Sequence, residues 1–440
     1  MLKPRPFSHE YSKVVPCERT ILTKRNNLTI FLAAVLVCLC SCAGKRPNLQ
    51  LEPDPRSISR RLNMPAARHP RVALDPAGDT LYLLAVAGAD PVSQLVLLTS
   101  VDGGDTFEQP VAVNEPGTNV GSHGENSPVL LFGPGEKIYT MWEQQEGEAT
   151  NVMFAESLDF GATFEKPLRI SDQSTPTYSG YPALAFSPNK TLCAAWLDFR
   201  DQTDHSDTAS IYLSCSIDEG STFSKNLKVA DGVCPCCRPA LVYGPQGQLM
   251  VFWRRVFPGN VRDIVVSIST DQGNTFAPPV RVAEDNWKLE GCPDSGPAVI
   301  KAGPRVYVAW LTEASPARSG VRLAWTDDGG KTFALPVLAS TKTLDANHPA
   351  FAIENDGHVL LTFQARDPWQ KGGWTPPRPY ALEIDQHGDL SDPVLVANGT
   401  MPVEFPTVAT GNAGRVFFAW TESTGDRPAV VMLRARNAEQ

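Results

Sequence analysis

The sequence lacks an apolar run long enough to cross a bilayer as a helix. Residues 28–39 fall short of the ~20 that a span requires. It has no glycine-rich phosphate loop, no His-Glu-x-x-His pair and no Gly-x-Ser-x-Gly elbow. Those absences remove the common nucleotide-binding, zinc-protease and serine-hydrolase chemistries. Nor is there a basic excess, since 39 Lys and Arg face 48 Asp and Glu for a net charge of -9. Residues 1–41 alone carry +4, which leaves about -13 on the remainder and excludes a broad nucleic-acid surface. Aromatics are scarce at 8%, whereas 33 glycines and 38 prolines supply many turns. With 42% hydrophobic residues, this mix excludes a coiled coil or a disordered chain and fits a folded protein of short strands.

Lys24 and Arg25 precede the apolar run, which ends in Leu39-Cys40-Ser41-Cys42. That ending resembles the bacterial lipoprotein signal. The resemblance implies a signal peptide over 1–41, lipidation of Cys42 and a linker over 42–54. Ala43 and Gly44 follow with no Asp beside the cysteine, so the expected location is the outer membrane of the envelope, periplasmic or surface-facing. Of ten cysteines, Cys17, Cys38 and Cys40 leave with the signal. Cys193, Cys215, Cys234, Cys236, Cys237 and Cys292 then remain in a compartment that permits disulfides.

Internal repetition dominates the rest. Residues 100–107, 157–164, 216–223, 269–276 and 326–333 all read Ser/Thr-x-Asp-x-Gly-x-Thr-Phe, with the Asp residues 57, 59, 53 and 57 apart. A worn copy surrounds Asp385 and Gly388. A second pattern runs in step: Pro128, Pro182, Pro239, Pro349 and Pro406 each open an apolar stretch closed 14 residues later by Trp142, Trp196, Trp253, Phe363 or Trp420. Pro297 with Trp310 is one residue shorter, and Pro70 leads to Leu84. Short strands at this period mean an all-β propeller of four-stranded antiparallel blades over 55–440, with seven blades preferred and six possible. The last unit ends one strand short, so residues 56–61 are expected to complete it and close the ring.

The repeated octapeptide is identified as the Asp-box, or BNR repeat, of the sialidase superfamily. Five copies rule out a catalytic role for it, and its Asp, hydroxyl and Gly serve the turn. The resemblance implies three arginines that hold a carboxylate, a Tyr nucleophile backed by a Glu, and an Asp acid/base. Arg68-His69-Pro70 matches the Arg-x-Pro of the family's Phe-Arg-Ile-Pro motif without its flanking residues. Arg254 and Arg366 complete a triad by position. Tyr181 or Tyr178 with Glu404 or Glu125, and Asp198 as acid/base, fill the other roles. The implied activity is recognition or hydrolysis of anionic, sialoside-like glycans at an Arg-lined channel mouth. The same charges could instead pair across neighbouring units, in a propeller that binds a partner protein.

The cysteine loop has two readings. Cys234-Pro235-Cys236-Cys237 opens the fourth unit and Cys292 the fifth. Disulfides suit the compartment, so no cofactor is expected. With His69, His123 and His348 on the same rim, the four thiols could otherwise hold copper or zinc. Cys193 and Cys215, on successive strands, suit a cross-strand disulfide.

Overall fold

The computed structural model describes residues 48–53, 60–64, 66–88, 92–203, 208–368, 375–423 and 428–437. The expected signal segment and Cys42 lie outside them. Among the described residues, all strand pairings are antiparallel, and the only helical turns are Pro316–Arg318 and Asn412–Gly414.

Strands follow chain order within each sheet. The first sheet runs Arg68–Leu74, Leu81–Ala87, Gln94–Ser100, Val111–Ala112. The units that begin at Ala298–Ala302 and Leu344–Ile353 repeat the plan. An eight-stranded sheet consists of two such units, Ser179–Phe186 onward and Ala240–Tyr243 onward, bridged through the pair Val233↔Arg255. In the unit of Ile138–Glu146, two short segments, Asn119–Gly121 and Val129–Phe132, share the inner edge. The last sheet holds Val403–Thr410, Arg415–Glu422 and Ala429–Asn437. Its outer edge comes from the N-terminal side, where Arg60 and Arg61 pair with Met432 and Val431, and Leu51–Pro53 with the residues beyond. Leu51–Pro53 falls inside the expected linker, and of the residues expected to complete this unit, 56–59 lie outside the described ones.

Alternating apolar residues bury these sheets against each other. Trp142, Trp196, Trp253, Trp310, Phe363 and Trp420, the residues that close the repeat, are at most 1% exposed. An aromatic buries 150–250 Å², so each contributes up to about 4–6 kcal/mol by area. Cys193 and Cys215, directly opposite on Leu192–Asp198 and Ala209–Ser216, are disulfide-bonded as their register suggests.

The Asp-boxes fulfil a structural role. In the first, Asp102 accepts Ser100 Oγ and Thr106 N through Oδ1, each at 2.8 Å, and Thr106 Oγ1 through Oδ2 at 2.6 Å. Gly104 N donates to Ser100 Oγ at 2.8 Å. That Gly has φ +86°, and a Cβ there would come within 2.5 Å of Met432 Cε in the last sheet. Gly161, at φ +85°, presses likewise on Leu97 of the first sheet. The box glycine is thus fixed twice, by conformation and by contact with the preceding sheet.

Candidate functional site

The inner strands converge through a repeated distortion. His69, Tyr181, His348 and Phe405 each precede the opening proline of their strand, with φ of +52°, +57°, +51° and +52°. Each sits where the strand register slips, between Arg68 and Arg71, Gly180 and Ala183, Asn347 and Ala350, and Glu404 and Thr407. A bulky residue at positive φ costs about 1–3 kcal/mol, and such strain clusters where a bulge aims a side chain at a site. Here the imidazoles of His69 and His348 flank the Phe405 ring, each with centroids 4.6 Å away. His69 Nδ1 meets Ser127 Oγ at 2.9 Å, and burial pushes its pKa well down, so this imidazole is neutral.

Beneath these rings lies a cavity of about 220 Å³. Residues of seven strands line it, including Val129, Leu184, Leu241, Val299, Phe351 and Thr407, and Arg71 and Arg238 are the only charged ones among the described residues. Burial and the neighbouring Arg238 guanidinium push Arg71 down to about 9, with Glu125 pulling the other way. Glu125 stands at the adjoining mouth with both arginines, Ser127 and His348. Its Oε1 lies 3.2 Å from His348 Nδ1, and its Oε2 accepts the backbone N–H groups of Arg238 and Gly296. Burial alone would raise this carboxyl, but the His348 hydrogen bond and charge, Arg238 and the Gly296 N–H hold it below 4.5.

A second polar group sits beside the mouth. Tyr178 OH donates to Glu143 Oε2, which also accepts Asn126 Nδ2 at 2.6 Å. Asn126 Oδ1 takes the backbone N–H of Tyr181 at 3.0 Å, and His123 Nε2 lies 3.3 Å from Tyr178 OH. Burial pushes Glu143 up to about 7 against those hydrogen bonds. Burial and the Glu143 charge drive Tyr178 far above its usual 10, so it holds its proton tightly.

The structure separates most of the residues expected to act together. Arg68 bonds Ser122 Oγ and Gly88 O, each at 2.6 Å. Arg254 is fully buried, with Nε on Ser295 O at 3.0 Å and Nη2 on Leu311 O at 2.8 Å. Arg366 pairs with Asp345 Oδ2 at 3.1 Å and Thr375 O at 2.5 Å. Asp198 is also fully buried and accepts Ser179 Oγ, Trp196 Nε1 and two Arg200 nitrogens, all within 2.9 Å. Tyr181 is buried, and Tyr178 takes the Glu partner, which is Glu143. Glu404 stays near His348, its carboxyl raised by burial. Arg71 was legible but overlooked. Its counterparts one residue after each opening proline are Val129, Ala183, Ala240, Ala298, Ala350 and Thr407, so a lone arginine stands out.

The cysteine loop combines both states that the sequence left open. Cys236 and Cys292 are disulfide-bonded, while Cys234 and Cys237 are buried thiols with sulfurs 3.2 Å apart. The Cys237 hydrogen bond, with Arg254 and Arg262, pushes Cys234 down to about 6 despite burial, which raises Cys237. The sulfurs of Cys234, Cys236 and Cys292 lie within 4.8 Å of one another, close enough for one soft metal. The rim histidines turn elsewhere: His69 to Ser127, His123 to Tyr178 and His348 to Glu125.

These features define a class: an Asp-box repeat protein whose inner strands line one polar-mouthed cavity. A profile of the BNR repeat-like domain matches residues 137–361, just over half of the chain, and the chain belongs to that family. Among solved structures it is similar to the Penicillium chrysogenum alpha-L-arabinanase complexed with arabinobiose, at 15% identity over 71% of this chain and 94% of that one, TM-score 0.50. It is also similar to a Fusarium graminearum alpha-L-arabinofuranosidase, at 15% identity over 87% of this chain and 99% of that one, TM-score 0.50. Both likenesses concern the fold. The Trypanosoma rangeli sialidase in complex with DANA matches at 13% identity over 76% of this chain and 56% of that one, TM-score 0.45. No curated protein matches.

Proposed function

We propose that this chain is a lipid-anchored envelope protein that recognises the charged end of an anionic glycan. In this reading its seven units form one ring, closed by the N-terminal strand, and Cys42 tethers it to the outer membrane. The observation that carries the reading is the pair Arg71 and Arg238, alone among apolar residues in a cavity that every inner strand lines. Arg71, held down to about 9, gives Nε to Pro128 O at 3.2 Å and Nη1 to Pro70 O at 3.3 Å, and a carboxylate between it and Arg238 would take its remaining N–H groups and relieve the charge. The volume suits one sugar or the end of a chain. The similar structure complexed with arabinobiose supports a sugar as ligand class. Recognition suits the site better than hydrolysis. Asp198 has no free lone pair toward a substrate, Tyr178 keeps its proton, and Arg68, Arg254 and Arg366 serve backbone carbonyls or Asp345.

Calorimetric titration with N-acetylneuraminic acid and with neutral methyl galactoside tests this. Binding of the acid alone, weakened at least tenfold in Arg238→Met and in Arg71→Met, is expected. Equal binding of both sugars, or of neither, refutes it. Release of 4-methylumbelliferone from its sialoside would replace recognition with hydrolysis.

A further inference from the structure

The strand Leu227–Val233 delivers Cys234, whose N–H bonds Arg254 O at 2.9 Å. The next three residues turn back, with Cys237 N on Cys234 O at 3.4 Å, and bring four sulfurs together. Cys234 Sγ lies 3.2 Å from Cys237 Sγ and 3.9 Å from Cys236 Sγ, and Cys237 Sγ is also 3.9 Å from Cys236 Sγ. Cys236 is bonded to Cys292. Arg262 Nη1 donates to Cys234 Sγ at 2.9 Å, which favours the thiolate, the form that attacks disulfides. Burial grades the set: Cys234 and Cys237 are fully buried, Cys236 is half-buried, and Cys292 is exposed.

We propose that these four cysteines form a thiol–disulfide exchange site, which carries two electrons from the buried pair to the rim and presents them to an external disulfide. The Cys234 thiolate attacks Cys236 Sγ, the Cys236–Cys292 bond breaks, and Cys292 leaves with the electron pair as an exposed thiolate. Cys237 then attacks Cys234 Sγ and expels Cys236, which takes the proton that Cys237 gives up. The buried dithiol is oxidised to Cys234–Cys237 and the rim disulfide is reduced, so no outside oxidant is consumed. The rim dithiol can pass its two electrons to a partner's disulfide, which becomes two thiols while Cys236–Cys292 re-forms. A purely structural disulfide needs neither a buried dithiol against it nor a guanidinium on the attacking sulfur.

The sequence makes the test direct. Trypsin, which does not cut the Arg238–Pro239 bond, places Cys234, Cys236 and Cys237 on residues 229–254 and Cys292 on residues 289–301. The full-length protein, without added reductant, is treated in its native state with N-ethylmaleimide, then digested and read by mass spectrometry. Exchange frees residues 289–301 from residues 229–254 and leaves the maleimide on Cys292. Cys234→Ser is expected to lower that label at least tenfold and keep the two peptides linked, whereas Cys237→Ser keeps the first step and the label. Peptides that stay linked and unlabelled in the wild type overturn the proposal. So does equal Cys292 labelling in Cys234→Ser, or a protein isolated with one equivalent of copper or zinc and four thiols that label only after its removal.

Discussion

Glu143 offers a test of the mouth that needs no ligand. Its carboxylate is 3% exposed, and a Cβ on either Gly121 or Gly180 would collide with it, so both glycines make room for this side chain. Burial raises it from an ordinary 4.5 to about 7. Between those values the folded protein holds a proton that the unfolded chain has released. Stability therefore falls as pH rises from 4.5 to 7 and stays low above. At 1.36 kcal/mol per pH unit, the gap between 4.5 and 7 is worth about 3 kcal/mol. In Glu143→Gln the amide oxygen can still accept from Tyr178 OH and Asn126 Nδ2, but the group no longer titrates. Urea unfolding at pH 4.5 and at pH 8 measures the effect. The variant is expected to match the wild type at the lower pH and to exceed it by about 3 kcal/mol at the higher. Parallel pH profiles for the two proteins would refute the argument, since they would mean that Glu143 ionises in the fold as easily as in water.

Three further outcomes follow from other parts of the molecule. Removing the Cys193–Cys215 bridge, whose cysteines lie 22 residues apart, should lower stability by about 3 kcal/mol in denaturant unfolding of Cys193→Ser/Cys215→Ser. Thr222 and Ser216 hold the Asp-box carboxyl of Asp218 down to about 2, so its stabilisation is complete above 3.8 and lost as pH falls through 2. Asp218→Ala should accordingly lower Tm at pH 6 and leave it nearly unchanged near pH 1.5, as thermal melts would read. Cys42→Ser should abolish incorporation of labelled palmitate and leave the precursor uncleaved, and label that persists in the variant would mean the cysteine was misassigned.

The repeating frame was legible because its signals are local and recur. The octapeptide and the interval from proline to closing residue are set by turn chemistry and by one large buried apolar side chain per unit, and neither needs a partner far away in sequence. The direction in which each inner-strand side chain points was not, because a bulge decides it. Arg68 and Arg71 differ by three positions, and an unbroken strand would put them on opposite faces. The slip at His69 instead sends Arg71 to the cavity and leaves Arg68 on Ser122 and Gly88. Nothing in residues 68–71 alone announces an imidazole at positive φ before a proline. Glu125 and His348, which meet in the mouth, stand more than two hundred residues apart. That choice of partner belongs to tertiary packing.

The pairing of Arg61 with Val431 sets a schedule as well as a shape. About 370 residues separate the two, and at 5–20 residues per second their synthesis takes roughly 20–70 s. Through that interval the outer partner of the last sheet waits without its neighbour, and the earlier sheets carry open edges into whatever compartment holds them. A chain that emerges by stages cannot finish folding early. Nonsense or frameshift lesions near residue 430 should therefore be as damaging as lesions in the middle of the chain, because the strand they remove carries both ends of the protein.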